Sequence, residues 1–209
     1  MKRNHSGKKK SAKRERKKLK DIDIEKTRAS TTDADARVMK MACNGYRPAF
    51  NVQFASTNLG KAIVGVDVIK QGSDSGQALQ MIKQVEKMYG IVPKTWSVDG
   101  GYKSHEQLDI VGEQYKNCKI YMPVETNSKV DNPYEKRPED STAVGEWRVR
   151  MGTAEAKEQY KERAATAEYV NAQSRNKGFQ QFRVRGLDKV KCVALIYAIT
   201  HNITIFLNI

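Results

Sequence analysis

The sequence predicts an α/β domain with a mixed sheet and flanking helices, and three observations carry that reading. Two β-rich runs, AFNVQFAS (49–56) and KAIVGVDVI (61–69), lie on either side of the turn Thr57-Asn58-Leu59-Gly60. Apolar residues then recur at helical spacing as Leu79, Ile82, Val85, Met88 and Tyr89. After them, short apolar runs alternate with helical ones, giving hairpin, helix, strand, helix, strand, helix. With 209 residues, 39% of them hydrophobic, the chain can bury one sizeable core. A mean hydropathy of -0.70 keeps much of it in water.

The hairpin strands are bounded by Gly, Pro or Asn, and the second is almost continuously apolar, as a strand covered on both faces would be. Ser75 is placed to cap a helix over 76–89, which Gly90 and Pro93 end. TWSVDGG (95–101) reads as a short strand closing on an acid and two glycines. Residues 104–115 read as a helix and CKIYMPV (118–124) as a strand. Residues 125–141 are polar, contain Asn-Pro and Arg-Pro, and read as a loop. Helices over 141–151 and 153–176 follow, the second closed by Asn176 and Gly178. FRVRG (182–186) reads as a short strand or an extended connector, and the last 20 residues as a buried helix. Thr200-His201-Asn202 interrupts that last segment where a membrane span would least tolerate it.

Charge divides the chain differently. Net charge is +14, yet residues 1–20 hold eleven Lys/Arg against Glu15 alone. Lys8, Lys9, Lys10, Arg14, Arg16, Lys17 and Lys18 make a dense cluster whose natural partner is nucleic acid, because cations released from phosphate drive such binding. The plainer alternative is a solvated tail that aids solubility. Residues 8–28 carry no Gly or Pro and read as an exposed helix or a partly ordered linker. The predicted division is thus a basic tail or linker over 1–29 and a globular domain over 30–209. Three cysteines (Cys43, Cys118, Cys192) about 75 residues apart offer neither a metal-ligand spacing nor a disulfide framework, which suits a reducing cytoplasm. The amino-terminal stretch has no apolar run and is no secretory signal.

Two acids stand out. Asp99 ends a predicted parallel strand, the edge where ligands of α/β sheets gather, and Gly100-Gly101 leave the backbone beside it open. A simple turn aspartate would look the same. Glu168 lies in the helical run 160–178 about 20° from Arg175, with Arg163 on the flank and Ala164, Ala165 and Ala167 around it. Carboxylate and guanidinium on one face suit cations and DNA phosphates together, although a solvated face with routine ion pairs reads likewise.

Taken together, Thr32 to Met41, Arg47 to Gln53, Val66-Asp67-Val68 with Gly72-Ser73-Asp74, Val98 to Tyr102, and Tyr160 to Glu168 resemble the DDE transposases of bacterial insertion sequences over about residues 28–206. The resemblance implies a ribonuclease-H-like core in which three acids hold two Mg2+ (or Mn2+) ions for DNA cleavage and strand transfer. It makes Asp99 the second acid and Glu168 the third, both catalytic and metal-binding. Tyr160, Arg163 and Arg175 become DNA contacts. Glu168 follows Arg163 by five residues where the best-known version has four. The family's first acid lies on an Asp-Gly-Thr-like strand upstream of Thr32, and no such segment occurs here. The expectation is therefore a core without its central first strand, inactive as this chain alone. Asp33, Asp35 and Asp67 do not match the vacant position. The implied partners are DNA, at element ends and target, and a second copy or a full-length transposase. The implied setting is the bacterial cytoplasm beside the nucleoid, with no membrane. A non-catalytic basic DNA-binding protein is the alternative.

Overall fold

The structure, a computed structural model, describes residues 30–41, 44–126 and 131–207. The readings for 1–29, including the basic cluster, lie outside the described residues. Among the described residues the chain begins with a hairpin that the sequence reading did not contain, β1 (Arg37–Lys40) against β2 (Tyr46–Ala49). Its signal is Asn44-Gly45, whose φ values of 68° and 87° are the left-handed pair that a tight hairpin turn requires. Pro48 is tolerated because a two-stranded ribbon is all edge.

The expected hairpin follows as β3 (Asn51–Ser56) antiparallel to β4 (Ile63–Ile69). Next come α1 (Gln77–Tyr89), β5 (Thr95–Ser97), α2 (His105–Gln114) and β6 (Lys119–Tyr121). The long helices α3 (Thr142–Gly152), α4 (Ala154–Asn176) and α5 (Leu187–Leu207) complete the order. FRVRG is a connector of bends rather than a strand. Ser75 does not cap α1. Gly76 stands at the N-cap with φ 92°, and the Ser75 hydroxyl donates to the Lys103 carbonyl at 3.0 Å.

The mixed sheet is divided. β5 and β6 pair in parallel, β3 and β4 pair antiparallel, and no ladder joins the two pairs among the described residues. The buried core divides with them. Trp147, Ile82, Val111, Val144 and Ile120 gather around β5–β6, whereas Val66, Val68, Val170, Val190 and Tyr197 gather around β3–β4. Ala55, Met81 and Val85, packed with Val64 and Trp96, bridge the halves, and α4 spans both, with Ala156 in the first cluster and Val170 in the second.

The far edge of β4 is closed by side chains. Gln84 exchanges both its amide groups with the Val66 backbone (3.0 and 2.9 Å), and Asn202 does the same for Ile63 (2.7 and 2.8 Å). Helix α5 lies on β4 through Val190, Ala194, Tyr197, Ala198 and His201. It is long and apolar enough to cross a membrane by length and composition alone. The expectation of a buried helix needs correction, because only one face is covered. Leu195, Ile196, Ile199, Ile203 and Phe206 recur on the opposite face and are exposed.

Asp33 and Asp35 have a structural task. Asp33 accepts from the Gly186 N–H (3.0 Å) and Asp35 from the Leu187 N–H (3.1 Å), so the two acids finish the otherwise unpaired start of α5. Asp35 also pairs with Lys70; that bond, then the one from Leu187, holds its carboxyl below the ordinary carboxylate range.

Candidate functional site: a cavity between two strand edges

A cavity of about 500 Å³ opens where the two halves part. Residues 51–57 and 95–99 line it without a break, so each strand presents an edge to it, since a strand face would contribute alternate residues. Ala78 and Met81 of α1 close one side. The other is closed by α4 through Arg163, Thr166, Ala167, Val170 and Asn171, spaced three and four apart on one helix face.

Asp99 lies at one end of this cavity. Its Oδ1 accepts from the Gly101 N–H at 2.8 Å and caps a short turn over Gly100–Tyr102. A second acid, missed by sequence reasoning, sits beside it. Asp74 Oδ1 accepts from Asn51 (2.6 Å) and from Gln53 (2.7 Å). A carbon placed on Gly101 would lie 3.1 Å from Asp99 Oδ1 and 3.6 Å from Asp74 Oδ2, so the two carboxylates bracket that glycine. Tyr102 donates to Gln53 and joins both strands to the acidic end. Burial, and then the Asp74 and Asp99 charges, push the Tyr102 hydroxyl far above its usual value, so it stays a donor. The sign of Asp74 was present in Gly72-Ser73-Asp74, but nothing local distinguished it from a turn residue.

Tyr160 and Arg163 lie three apart on α4, with the guanidinium 5.2 Å from the ring centre. Arg163 reaches the cavity, and its Nε is buried with no hydrogen-bond partner among the described residues. Glu168 is not among the residues that line the cavity with Asp99. It is exposed and outside the cavity lining, on the same outward face as the exposed Arg175. The reason is one residue of helix: Ala167, four after Arg163, lines the cavity, and the next position is turned by about 100°. Asp67 sits on β4, ion-paired with Lys191 of α5 at 2.8 Å, away from the cavity. Among the described residues no three His, Cys, Asp or Glu side chains gather as a metal site would require.

The profile of the family described as transposase DDE domain matches residues 101–206, half of the 209-residue chain. The chain belongs to the DDE transposase family. No curated protein and no solved structure matches it. The matched stretch of this DDE transposase domain includes Tyr160, Arg163, Glu168 and Arg175, and it begins two residues after Asp99. The family generally uses divalent metals and acts on DNA.

Proposed function

We propose that the cavity between β3 and β5 is the DNA-processing site of a transposase, with Asp99 as its metal-binding acid and Tyr160–Arg163 as its contact with the DNA backbone. The observation that carries this reading is the meeting of Asp99 and Arg163 on one cavity in a chain of this family. A carboxylate and a guanidinium facing one space suit a metal-bound phosphate. The flanking pairs β3–β4 and β5–β6 suit a ribonuclease-H-like order whose central position holds no strand. Residues 30–209 form the core in this reading, residues 1–29 the DNA-binding tail, and the chain works in the cytoplasm beside the nucleoid.

The described residues do not fit a two-ion centre. Two magnesium ions about 4 Å apart need a bridging carboxylate and further oxygen ligands. Asp99 and Asp74 supply two carboxylates, and Asp74 already accepts two side-chain N–H groups on one oxygen. Glu168 joins them only if α4 turns by about 100° or shifts by one residue. Accordingly, the 209-residue chain in magnesium or manganese neither nicks DNA nor joins ends above background. Cleavage lost on Asp99→Asn would uphold the site and refute the inactivity; cleavage indifferent to Asp99→Asn would refute the site.

A second reading, a non-catalytic DNA-binding protein, is favoured by the charge concentrated in residues 1–20. If six to eight of those cations reach phosphates, log K should fall against log salt with a slope of roughly −5 to −7. Deleting residues 1–20 should remove most of that slope. Full retention after the deletion would exclude a tail-driven mode.

A further inference from the structure

We infer that the exposed face of α5 is a self-pairing surface, on which a second copy of this chain lays its own α5 in the antiparallel sense.

The pattern of that face is specific. Cys192, Ile196, Ile199, Ile203 and Phe206 recur at intervals of four and three, the seven-residue repeat with which two helices pack side by side. Leu195 and Leu207 flank this seam. The opposite face, Val190, Ala194, Tyr197 and His201, follows the same intervals and is already buried. From Cys192 to Leu207 the helix carries no Asp, Glu, Lys or Arg.

The area fits a second copy. Leu195, Ile196, Ile199, Ile203, Phe206 and Leu207 are 43% to 78% exposed. At about 200 Å² for a fully open large apolar residue, they leave roughly 700 Å² of apolar surface on one helix face. That is more than the roughly 300–600 Å² patch of a lone soluble chain. It is close to the about 800 Å² that each partner gives to a stable complex. An uncharged patch is also its own complement, as a two-fold pairing of identical surfaces requires. A partner recognised by charge would find nothing on it to pair with.

Direction follows from the ends of the seam. Lys189 continues the same repeat, seven residues before Ile196. Parallel copies would set Lys189 against Lys189 inside the seam. Antiparallel copies, centred on the middle of α5, set Ile196 against Ile199, Cys192 against Ile203, and Lys189 over Phe206 of the other chain. The lysine then lies at the carbonyl end of the opposing helix, where a cation is favoured, and its stem covers the ring.

The seam holds about two and a half heptads, few for two free helices to associate. Here the helix is already fixed. Asn202 brackets Ile63 with two bonds, and His201 Nε2 donates to the Lys61 carbonyl at 3.0 Å. Pairing therefore has no backbone to order, which lowers its cost. The same three bonds argue against a membrane as the occupant, because insertion would strip them in hydrocarbon.

The test uses the full chain without DNA or metal, so its outcome is independent of the cavity reading. Light scattering at about 10 μM, in salt that screens the basic residues, should give twice the 23.7 kDa of one chain. Ile196→Glu places a charge in both central layers of the seam. It should weaken pairing by at least about a hundredfold and leave a monomer, while circular dichroism confirms that the helices persist. Ile203→Cys reads the direction. A short bismaleimide should join Cys192 of one copy to the introduced thiol of the other, as identified by mass spectrometry of the linked peptides. The unaltered chain should give no Cys192–Cys192 link. Should Ile196→Glu unfold, the cross-link decides alone. A monomeric parent, a parent that floats with phosphatidylcholine vesicles instead, or a Cys192–Cys192 link would overturn the inference.

Discussion

Replacing Asp140 by alanine tests the most deeply buried ion pair among the described residues. Its carboxylate accepts from Arg148 Nε at 2.7 Å, and the two side chains are only 3% and 5% exposed. The same Oδ2 accepts from the Arg137 backbone N–H at 3.0 Å, so this single atom ties the end of the 131–141 loop to α3. Arg148 also lies 5.5 Å from the ring centre of Trp147, which is fully buried. Truncation leaves the guanidinium buried without a counter-charge, at a cost of roughly 3–5 kcal/mol. That is a large part of the total for a domain stable by roughly 5–15 kcal/mol. Urea unfolding, followed by tryptophan fluorescence, should show this loss, with Tm lower by about 10 °C. Asp140→Ala combined with Arg148→Met should recover most of it, because the stranded charge is gone.

The pH dependence has a definite sign. Burial raises the Asp140 carboxyl, but the Arg137 backbone bond and the Arg148 charge outweigh it and hold the group below the ordinary range. A carboxyl depressed in the folded state stabilises above its unfolded value, about 3.9, and that contribution fades as pH falls through the folded value. The gap between parent and variant should therefore be full at pH 6 and close below about pH 4. A loss under about 1 kcal/mol, or a double variant no better than the single one, would refute the buried-pair account.

The two described cysteines should differ in reactivity. Burial pushes the Cys118 thiol up to about 11, whereas Cys192 is exposed. Iodoacetamide at pH 8 should label Cys192 about a hundredfold faster in the native protein, as read by peptide mass spectrometry; equal rates would mean Cys118 is accessible. Asn202→Ala removes both clamps on Ile63 and should cost about 2 kcal/mol in the same urea assay, since one buried donor and one acceptor are left unmet. A neutral result would show that water replaces the amide.

The long elements were legible because their signals are periodic and local. The apolar spacing of α1, the uninterrupted helix formers of α4, and the turn between β3 and β4 all lie within short windows of sequence. Asn44-Gly45 was equally local, but the flanking RVMK and YRPA lack the apolar alternation that would have marked strands. The site was less legible because it depends on phase and on long-range pairing. Asp99 could be found from its place after a strand, whereas Asp74 acquires meaning only through Asn51 and Gln53, more than twenty residues away. Along α4 one residue separates the cavity face at Ala167 from the exposed Glu168, a phase that only the packing fixes. For α5, composition gave its burial as a whole, but only the packing on β4 reveals which side is left open.

The manner in which Asp33 and Asp35 complete α5 bears on how the protein can be made. Bonds spanning about 150 residues join the first described loop to the last helix. On a ribosome, those acids emerge long before Gly186 and Leu187 exist to meet them, and β4 waits as long for its cover. The half of the core built around β5 and β6, closed by α3, can form while synthesis continues. The half around β3 and β4 has to wait until α5 has been made. A stalled or prematurely terminated product would thus be half-folded with β3 and β4 uncovered, a natural substrate for chaperones and proteases. Helix α5 acts as the latch that ends that exposure.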